Sequence, residues 1–384
     1  MESYKEHTFI VFCVDHFNPL GLIRSLGEDG IKPAVIIYGK EKPYLITKSI
    51  YPGKTYWVKT MEDGLKILLE EYSNEKFKPF IYTCSDDIES FLDLHYDALI
   101  DRFYFFNGGR QGQVTHWMEK TRMARLAEGC GMTIPKAEEV AVGELPKTLR
   151  YPIMTKSVIS TLYNWKGNVH ICHDEKELLE AYKTIRGDRV VLQEYIEKDN
   201  EISFEGISIN NGKEIYMPFQ SRYLRFTSDS FGNYVGFDEP DNKDLLYKIK
   251  LLFDKVSYSG IFSIDFLHGK DGRIYFLEIN FRNSAWSYAC TSQGANLPII
   301  YARSVLTGHL DIADVKLKKT SFTAMDECAD FKQAVLVNRE SPVKWYREMK
   351  SCDTLFYSHK NDMQPLYAFI GHRIKGVIKS ILHI

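Results

Sequence analysis

The stretch from Gly260 to Arg282 constrains this chain more than any other. It reads Gly-Ile-Phe-Ser-Ile-Asp-Phe-Leu-His-Gly-Lys-Asp-Gly-Arg-Ile-Tyr-Phe-Leu-Glu-Ile-Asn-Phe-Arg, two apolar runs around Asp271-Gly272. Asp-Gly is favoured in two-residue hairpin turns because both central residues take positive φ. With those two residues as the turn, Lys270 faces Arg273 and paired positions sum to 543. Asp265 and Glu278 also sum to 543, so their side chains share a face, and Asn280 lies on it two residues on. Like charges opposed across a ladder destabilise it, and a divalent cation would offset them. Two carboxylates and an amide oxygen form an all-oxygen set suited to Mg2+, with Mn2+ as the alternative. The competing reading is a solvent-facing acidic pair held by Lys or Arg.

The remainder divides into two styles. Thr8–Val14 is a continuous apolar run, as a buried parallel strand requires. Asn18 is positioned to cap a helix through Leu26, with Pro19 in its first turn. Strand signals at Ala34–Tyr38 and Phe80–Thr83 alternate with helical ones at Glu62–Tyr72 and Asp86–Leu94. That order predicts a three-layer α/β domain, and without a G-x-G-x-x-G turn it gives a dinucleotide-binding domain little support. From about Thr115 the character changes. Helices are expected at Lys120–Cys130 and, capped by Asp174, at Lys176–Ile185; a short strand at Pro152–Lys156 precedes the second. Strands at Val190–Glu194, Ile202–Ile209, Glu214–Arg222, Ile261–Leu267 and Arg273–Ile279 imply an antiparallel sheet.

Composition narrows the function. The 49 Lys and Arg against 51 Asp and Glu give a net charge of −2, which argues against a general nucleic-acid binder. Seven scattered cysteines without a C-x-x-C pair fit a reducing compartment and exclude a zinc knuckle. The N-terminus lacks the order of a signal peptide and no apolar run is long enough to span a bilayer, so a cytoplasmic location is expected. After Asp362 no acidic residue remains. There Ile370, Ile374, Val377, Ile378 and Ile381 mark one helical face, with His372, Lys375, Lys379 and His383 largely opposite. A basic amphipathic helix of this kind either packs on its own protein or rests on a membrane surface.

Taken together, the motifs resemble the ATP-grasp superfamily. Asp265 followed by Glu278, Asn280 and Arg282 is similar to its E-x-N-x-R metal and phosphate signature. Glu119-Lys120 through Pro135 resembles its D-K…A…G-hydrophobic-P helix, and Tyr151-Pro152-Ile-Met-Thr-Lys156 its second nucleotide lysine. Val191-Leu-Gln-Glu194-Tyr195-Ile196, with Glu201 seven residues after Glu194, resembles the hinge that holds adenine and ribose. The match covers roughly residues 115–300, and Asn18-Pro-Leu-Gly extends it to the first helix of amino-acid ligases. The likeness is greatest to the D-aspartate ligase and carbamoyl-phosphate-synthase-like group. Departures exist: the phosphate loop Ser157–Asn168 holds a single Gly, with Ser160, Thr161 and Lys166 as its candidate donors. Ser263 stands where some relatives carry an arginine.

The resemblance implies an N-terminal α/β domain over 1–112, an α+β ATP-grasp domain over 113–310 (subdomains about 113–189 and 190–310), and an extension over 311–384 ending in helix 366–384. It implies that Lys120, Lys156 and Lys166 hold ATP phosphates, that Glu194, Tyr195, Ile196 and Glu201 bind the nucleoside, and that Mg2+ sits on Asp265, Glu278 and Asn280. Arg282, with Arg222 or Arg225, would stabilise the transferring phosphoryl group, and Ser284 and Ser287 are candidate donors to a substrate carboxylate. The expected reaction joins a small-molecule carboxylate to an amine through an acyl phosphate, on a cell-wall or polysaccharide precursor. A small-molecule kinase and a non-catalytic ATP sensor or scaffold stay open, as do a homodimer and peripheral membrane contact through the last helix.

Overall fold

The computed structural model describes residues 3–156, 169–185, 187–226 and 232–382, with side chains to 376. Strands β1 (Phe9–Cys13), β2 (Ala34–Tyr38), β3 (Thr55–Val58), β4 (Phe80–Thr83) and β5 (Tyr104–Phe105) form a parallel sheet in the order β3-β2-β1-β4-β5. Helices α1 (Phe17–Glu28), α2 (Met61–Ile67), α3 (Asp86–Leu94) and α4 (Tyr96–Leu99) connect them. Ile10, Phe12, Ile36, Ile81 and Phe105 bury one face against Ile88 and Leu92 of α3, so the apolar runs read as fully buried strands. The order reverses between β1 and β4, where such sheets leave a crevice at their carboxyl ends. Asn18 does not cap α1. The His16 ring accepts the Asn18 amide instead, while the Asn18 side chain is buried and donates to Asn283 O at 3.1 Å.

The chain then passes through α5 (Gln113–Trp117) and α6 (Lys120–Gly129) to β6 (Ala137–Ala141), β7 (Ile153–Lys156), β8 (Ile171–Cys172), α7 (Glu175–Tyr182) and β9 (Arg189–Glu194). These four strands pair antiparallel in the order β6-β9-β7-β8. Val140, Ile153, Val190 and Leu192 pack with Leu178 of α7. Asp174 caps α7 as expected, accepting from Glu177 N at 2.8 Å.

A seven-stranded sheet follows, built from β10 (Lys198–Ile209), β11 (Glu214–Arg225), β12 (Tyr234–Asp238), β13 (Gly260–Gly269) and β14 (Ile274–Asn280), then β15 (Ser321–Met325) and β16 (Thr354–Leu355). Its order is β14-β13-β10-β11-β12-β15-β16. Helices α8 (Lys243–Val256), α9 (Ser287–Ser292), α10 (Leu297–Thr307), α11 (Glu327–Phe331), α12 (Pro342–Ser351) and α13 (Gln364–Leu382) complete the chain. By internal contacts it forms two compact units. The first holds residues 1–116, 203–264 and 279–384; the second holds 117–202 and the hairpin tip 265–278.

Within the first unit, Arg24 of α1 ties the C-terminal extension to the parallel sheet. Its side chain is fully buried and donates to Asp362 Oδ2 at 2.9 Å and to the carbonyls of Phe356, Tyr357 and Asp362. Helix α13 begins docked: His372 stacks on Tyr44 at 3.9 Å and Phe369 packs on Tyr357 at 4.5 Å. Its apolar stripe points elsewhere, with Ile370 44% and Ile374 54% exposed. Among the described residues no helix is long and apolar enough to cross a membrane.

Candidate functional site

In the second unit, charge gathers where α6, β7 and the hairpin tip meet. Glu119 caps α6 by accepting from Thr121 N at 2.9 Å, which sets Lys120 at the first helical position. Lys120 Nζ donates to Glu278 Oε2 at 2.9 Å. Lys156 ends β7, where Ile153 and Thr155 point into the core. Burial and then the neighbouring Lys120 ammonium push Lys156 down to about 8, with Glu278 opposing. Burial and the like charge of Lys120 both disfavour the Lys156 ammonium, so a nearby anion would stabilise it. A polyphosphate would be such an anion.

Beside this cluster the backbone makes a hinge. Glu194 closes β9 opposite Ile153, and its carboxylate accepts from Lys136 N at 2.9 Å. Tyr195 N donates to Pro152 O at 3.1 Å and Lys270 N to Glu197 O at 2.9 Å, so Ile196 lies between two fixed points. Glu201 of β10 pairs with Lys198 at 2.9 Å. Gly269 is needed here, because a Cβ would come within 2.9 Å of the Ile196 side chain.

The hairpin differs from the expected two-residue turn. Gly269 N donates to Arg273 O and Gly272 N to Gly269 O, both at 2.9 Å, and Gly272 takes φ 77°. That is a three-residue loop ending on a left-handed glycine. Asp-Gly suits either turn, and the choice follows from Lys270 N being held by Glu197. Near the loop, pairs therefore sum to 542, and Phe266 meets Phe276 edge-on at 5.9 Å in that register. Further along, Asn280 Nδ2 reaches Ser263 Oγ at 3.2 Å, a pair that sums to 543. Among the described residues no three His, Cys, Asp or Glu converge as a metal cluster, so a cation on this hairpin would have the two carboxylates and the amide.

In the first unit, Arg282 is held by Asp86, the first residue of α3, with Nε at 3.0 Å from Oδ1, and also donates to Asn280 Oδ1 at 3.1 Å. Asn283 N donates to Thr83 O at 3.1 Å, and its side chain donates to Asn18 Oδ1 at 3.1 Å. Ser284 and Ser287 give their hydroxyl protons to one oxygen of Glu205, at 2.6 and 3.0 Å. Glu205 is 1% exposed. Burial pushes its carboxyl up to about 7, while the two serines and the Arg282 charge pull the other way.

Two other arginines have different partners. Arg225 pairs with Asp330, Glu340 and Glu348 and lies over the Tyr234 ring, so its guanidinium serves the C-terminal extension. Arg222 sits 3.8 Å from Asp238. Lys166, with Ser160 and Thr161, lies outside the described residues. Sequence reasoning missed Asp86 and Glu205. Glu205 did carry a signal: it is a carboxylate inside the strand run Phe204-Glu-Gly-Ile-Ser-Ile209, where an inward charge needs partners.

No family model matches the chain. D-aspartate ligase of Enterococcus faecium (strain Aus0004) is 22% identical over 329 residues, 77% of this chain and 76% of that protein. N5-carboxyaminoimidazole ribonucleotide synthase of Staphylococcus aureus (strain COL) is 24% identical over 142 residues, 37% of each chain. Among solved structures, an L-amino acid ligase from Bacillus licheniformis superposes with a TM-score of 0.63 at 14% identity, over 83% of this chain and 79% of that one. An ADP complex of N5-carboxyaminoimidazole ribonucleotide synthetase gives 0.66 at 16%, over 86% and 85%. Such identities carry the fold alone, and it agrees with the motif order along the chain. The chain has the ATP-grasp fold, shared with these ligase and synthetase structures.

Proposed function

We propose that the chain is an ATP- and Mg2+-dependent carboxylate–amine ligase. The observation that supports it most is the Lys120–Glu278 pair beside Lys156, whose pKa burial and the Lys120 charge lower to about 8. In this reading both lysines, with Lys166, bind ATP phosphates, and the hinge at Glu194, Tyr195 and Ile196, with Glu201, holds the nucleoside. The donor set on β13 and β14 fits a hard cation: Asp265, Glu278 and Asn280 would hold Mg2+, which neutralises phosphate charge when bound. Asn280 Oδ1 would then exchange its bond from Arg282. Of the three arginines, Arg282 takes the transition-state role, since Arg225 already answers three carboxylates. A substrate carboxylate oxygen attacks the γ-phosphorus and ADP leaves with the bridging oxygen. The amine nitrogen then attacks the acyl carbon, phosphate departs with the C–O electron pair, and the nitrogen loses a proton.

ADP release measured across amino acids and sugar acids, with and without amines, tests this reading. Hydroxylamine should trap an acyl hydroxamate, and Asp265→Ala and Glu278→Ala should abolish both signals. Phosphorylated acceptor without hydroxamate would indicate a kinase, and ATP binding without ADP release would indicate a sensor.

We further infer that the acceptor is membrane-linked, as a cell-wall or polysaccharide precursor would be. The support is α13: Ile370 and Ile374 stay exposed beside Arg373 and Lys375, and the sequence continues without an acidic residue. Apolar and basic residues so arranged suit an anionic bilayer surface. Wild-type protein should sediment with phosphatidylglycerol vesicles and Ile370→Glu/Ile374→Glu should not. Equal sedimentation of the two would overturn the inference.

A further inference from the structure

We propose that Glu205 is a positioning residue of this site: through Ser284 and Ser287 its carboxylate fixes the segment that carries Arg282. The proposal rests on the ATP-dependent reaction assigned above to Arg282. Residues 282–287 are held from two sides. On one, Asn283 is pinned by Asn18 and by Thr83 O, at the carboxyl end of β4. On the other, a single oxygen of Glu205 accepts from Ser284 Oγ and Ser287 Oγ. Ser284 Oγ in turn accepts from Trp286 N at 3.1 Å, so the turn into α9 closes around the same hydroxyl. Removing the acceptor would release both serines together.

A glutamine could also accept from two serines, so the geometry alone does not require an acid. Charge does distinguish them. The charged group acting on Glu205 is the Arg282 guanidinium, which favours the anion; burial and, after it, Glu205 in turn raise the pKa of the Cys290 thiol of α9. An ionised Glu205 supplies negative charge behind Arg282 and strengthens both serine bonds. Protonation near pH 7 removes that charge and weakens the hold on the segment. The device therefore links the order of residues 282–287 to pH just where a cell operates.

Glu205→Gln keeps shape and acceptor and removes only the charge. The readout is acceptor-dependent ADP release from the full chain, which a ligase and a kinase both produce, so a failed hydroxamate trap does not decide the fate of Glu205. Wild-type kcat/KM for the acceptor should fall below about pH 7 on one ionisation. In Glu205→Gln that limb should vanish, with kcat/KM down about tenfold at pH 8 and the ATP KM unchanged. An intact limb, or an ATP KM that rises in step, overturns the proposal. Ser284→Ala/Ser287→Ala provides a second reading if the glutamine variant fails to fold. Loss of both hydroxyls should move the limb to higher pH, and an unmoved limb also overturns the proposal.

Discussion

Arg24 is a fully buried cation and Lys156 a half-buried one, and their surroundings differ in kind. Arg24 meets a carboxylate and three carbonyls, and Asp362 is itself held by Ser49 Oγ and Ile50 N, at 2.9 and 3.0 Å. Each of its three nitrogens has an acceptor within the chain. Lys156 shares the field of one carboxylate with Lys120, and burial with that like charge draws its pKa down to about 8. A saturated cation is structure, whereas an undersupplied one is a place for an anion. The difference teaches where in this molecule a charged residue should be read as a binding group.

The largest expected effect breaks the saturated case. Arg24→Ala leaves Asp362 buried without its cation, and loss of one partner of such a pair costs about 3–5 kcal/mol. Urea unfolding should show that loss, with a midpoint far below wild type; a shift under about 1 kcal/mol would mean that the network relaxes around water. Lys156→Ala should do the reverse. Its unfolding midpoint should stay close to wild type, while ATP turnover falls about 10²–10³-fold, as when one preorganised donor to a developing charge is removed. The same lysine gives a calorimetric signature. Free Lys156 titrates at about 8 and phosphate would raise it, so ATP binding at pH 8 should take up protons in wild type and fewer in Lys156→Ala. Proton release on binding would contradict the assignment.

Much of this was legible in the sequence wherever the signal was local. The apolar runs of β2 and β4 and the periodicity of α3 gave the observed bounds, Ala34–Tyr38, Phe80–Thr83 and Asp86–Leu94. Lys120 and Lys156 sit on the expected helix and strand ends, and Lys120 is paired with Glu278. What failed was decided at a distance. Asn18 has the chemistry of a cap, yet Asn283, 265 residues away, claims its side chain. Arg225 looked available until Asp330, Glu340 and Glu348 folded onto it. The Asp271-Gly272 turn gained a residue through Glu197, contributed by the preceding hinge. No window of neighbouring residues contains those partners.

Glu89 of α3 supplies the sharpest counterpart to Arg24. It is as deeply buried, yet neither carboxylate oxygen has a hydrogen-bond partner among the described residues, and Asp93 lies one turn on with Oδ1 also unpartnered. Burial first, then Asp93 and Asp86, push its carboxyl well above the ordinary range, so the folded chain holds Glu89 as the neutral acid. The sign of the pH effect follows. The folded form binds the proton more tightly than the unfolded form, so stability is full below the unfolded pKa of 4.5 and is lost as pH rises toward the folded value. Glu89→Gln keeps a neutral, isosteric group and removes that proton linkage. It should therefore leave stability at pH 4 within about 0.5 kcal/mol of wild type, as for an uncharged exchange, and raise it at pH 8 by about 1–3 kcal/mol, the desolvation cost of one buried group. Urea midpoints at the two pH values check this. A variant destabilised at pH 8 would mean that the folded chain uses Glu89 as an anion, and the contrast with Arg24 would then be lost.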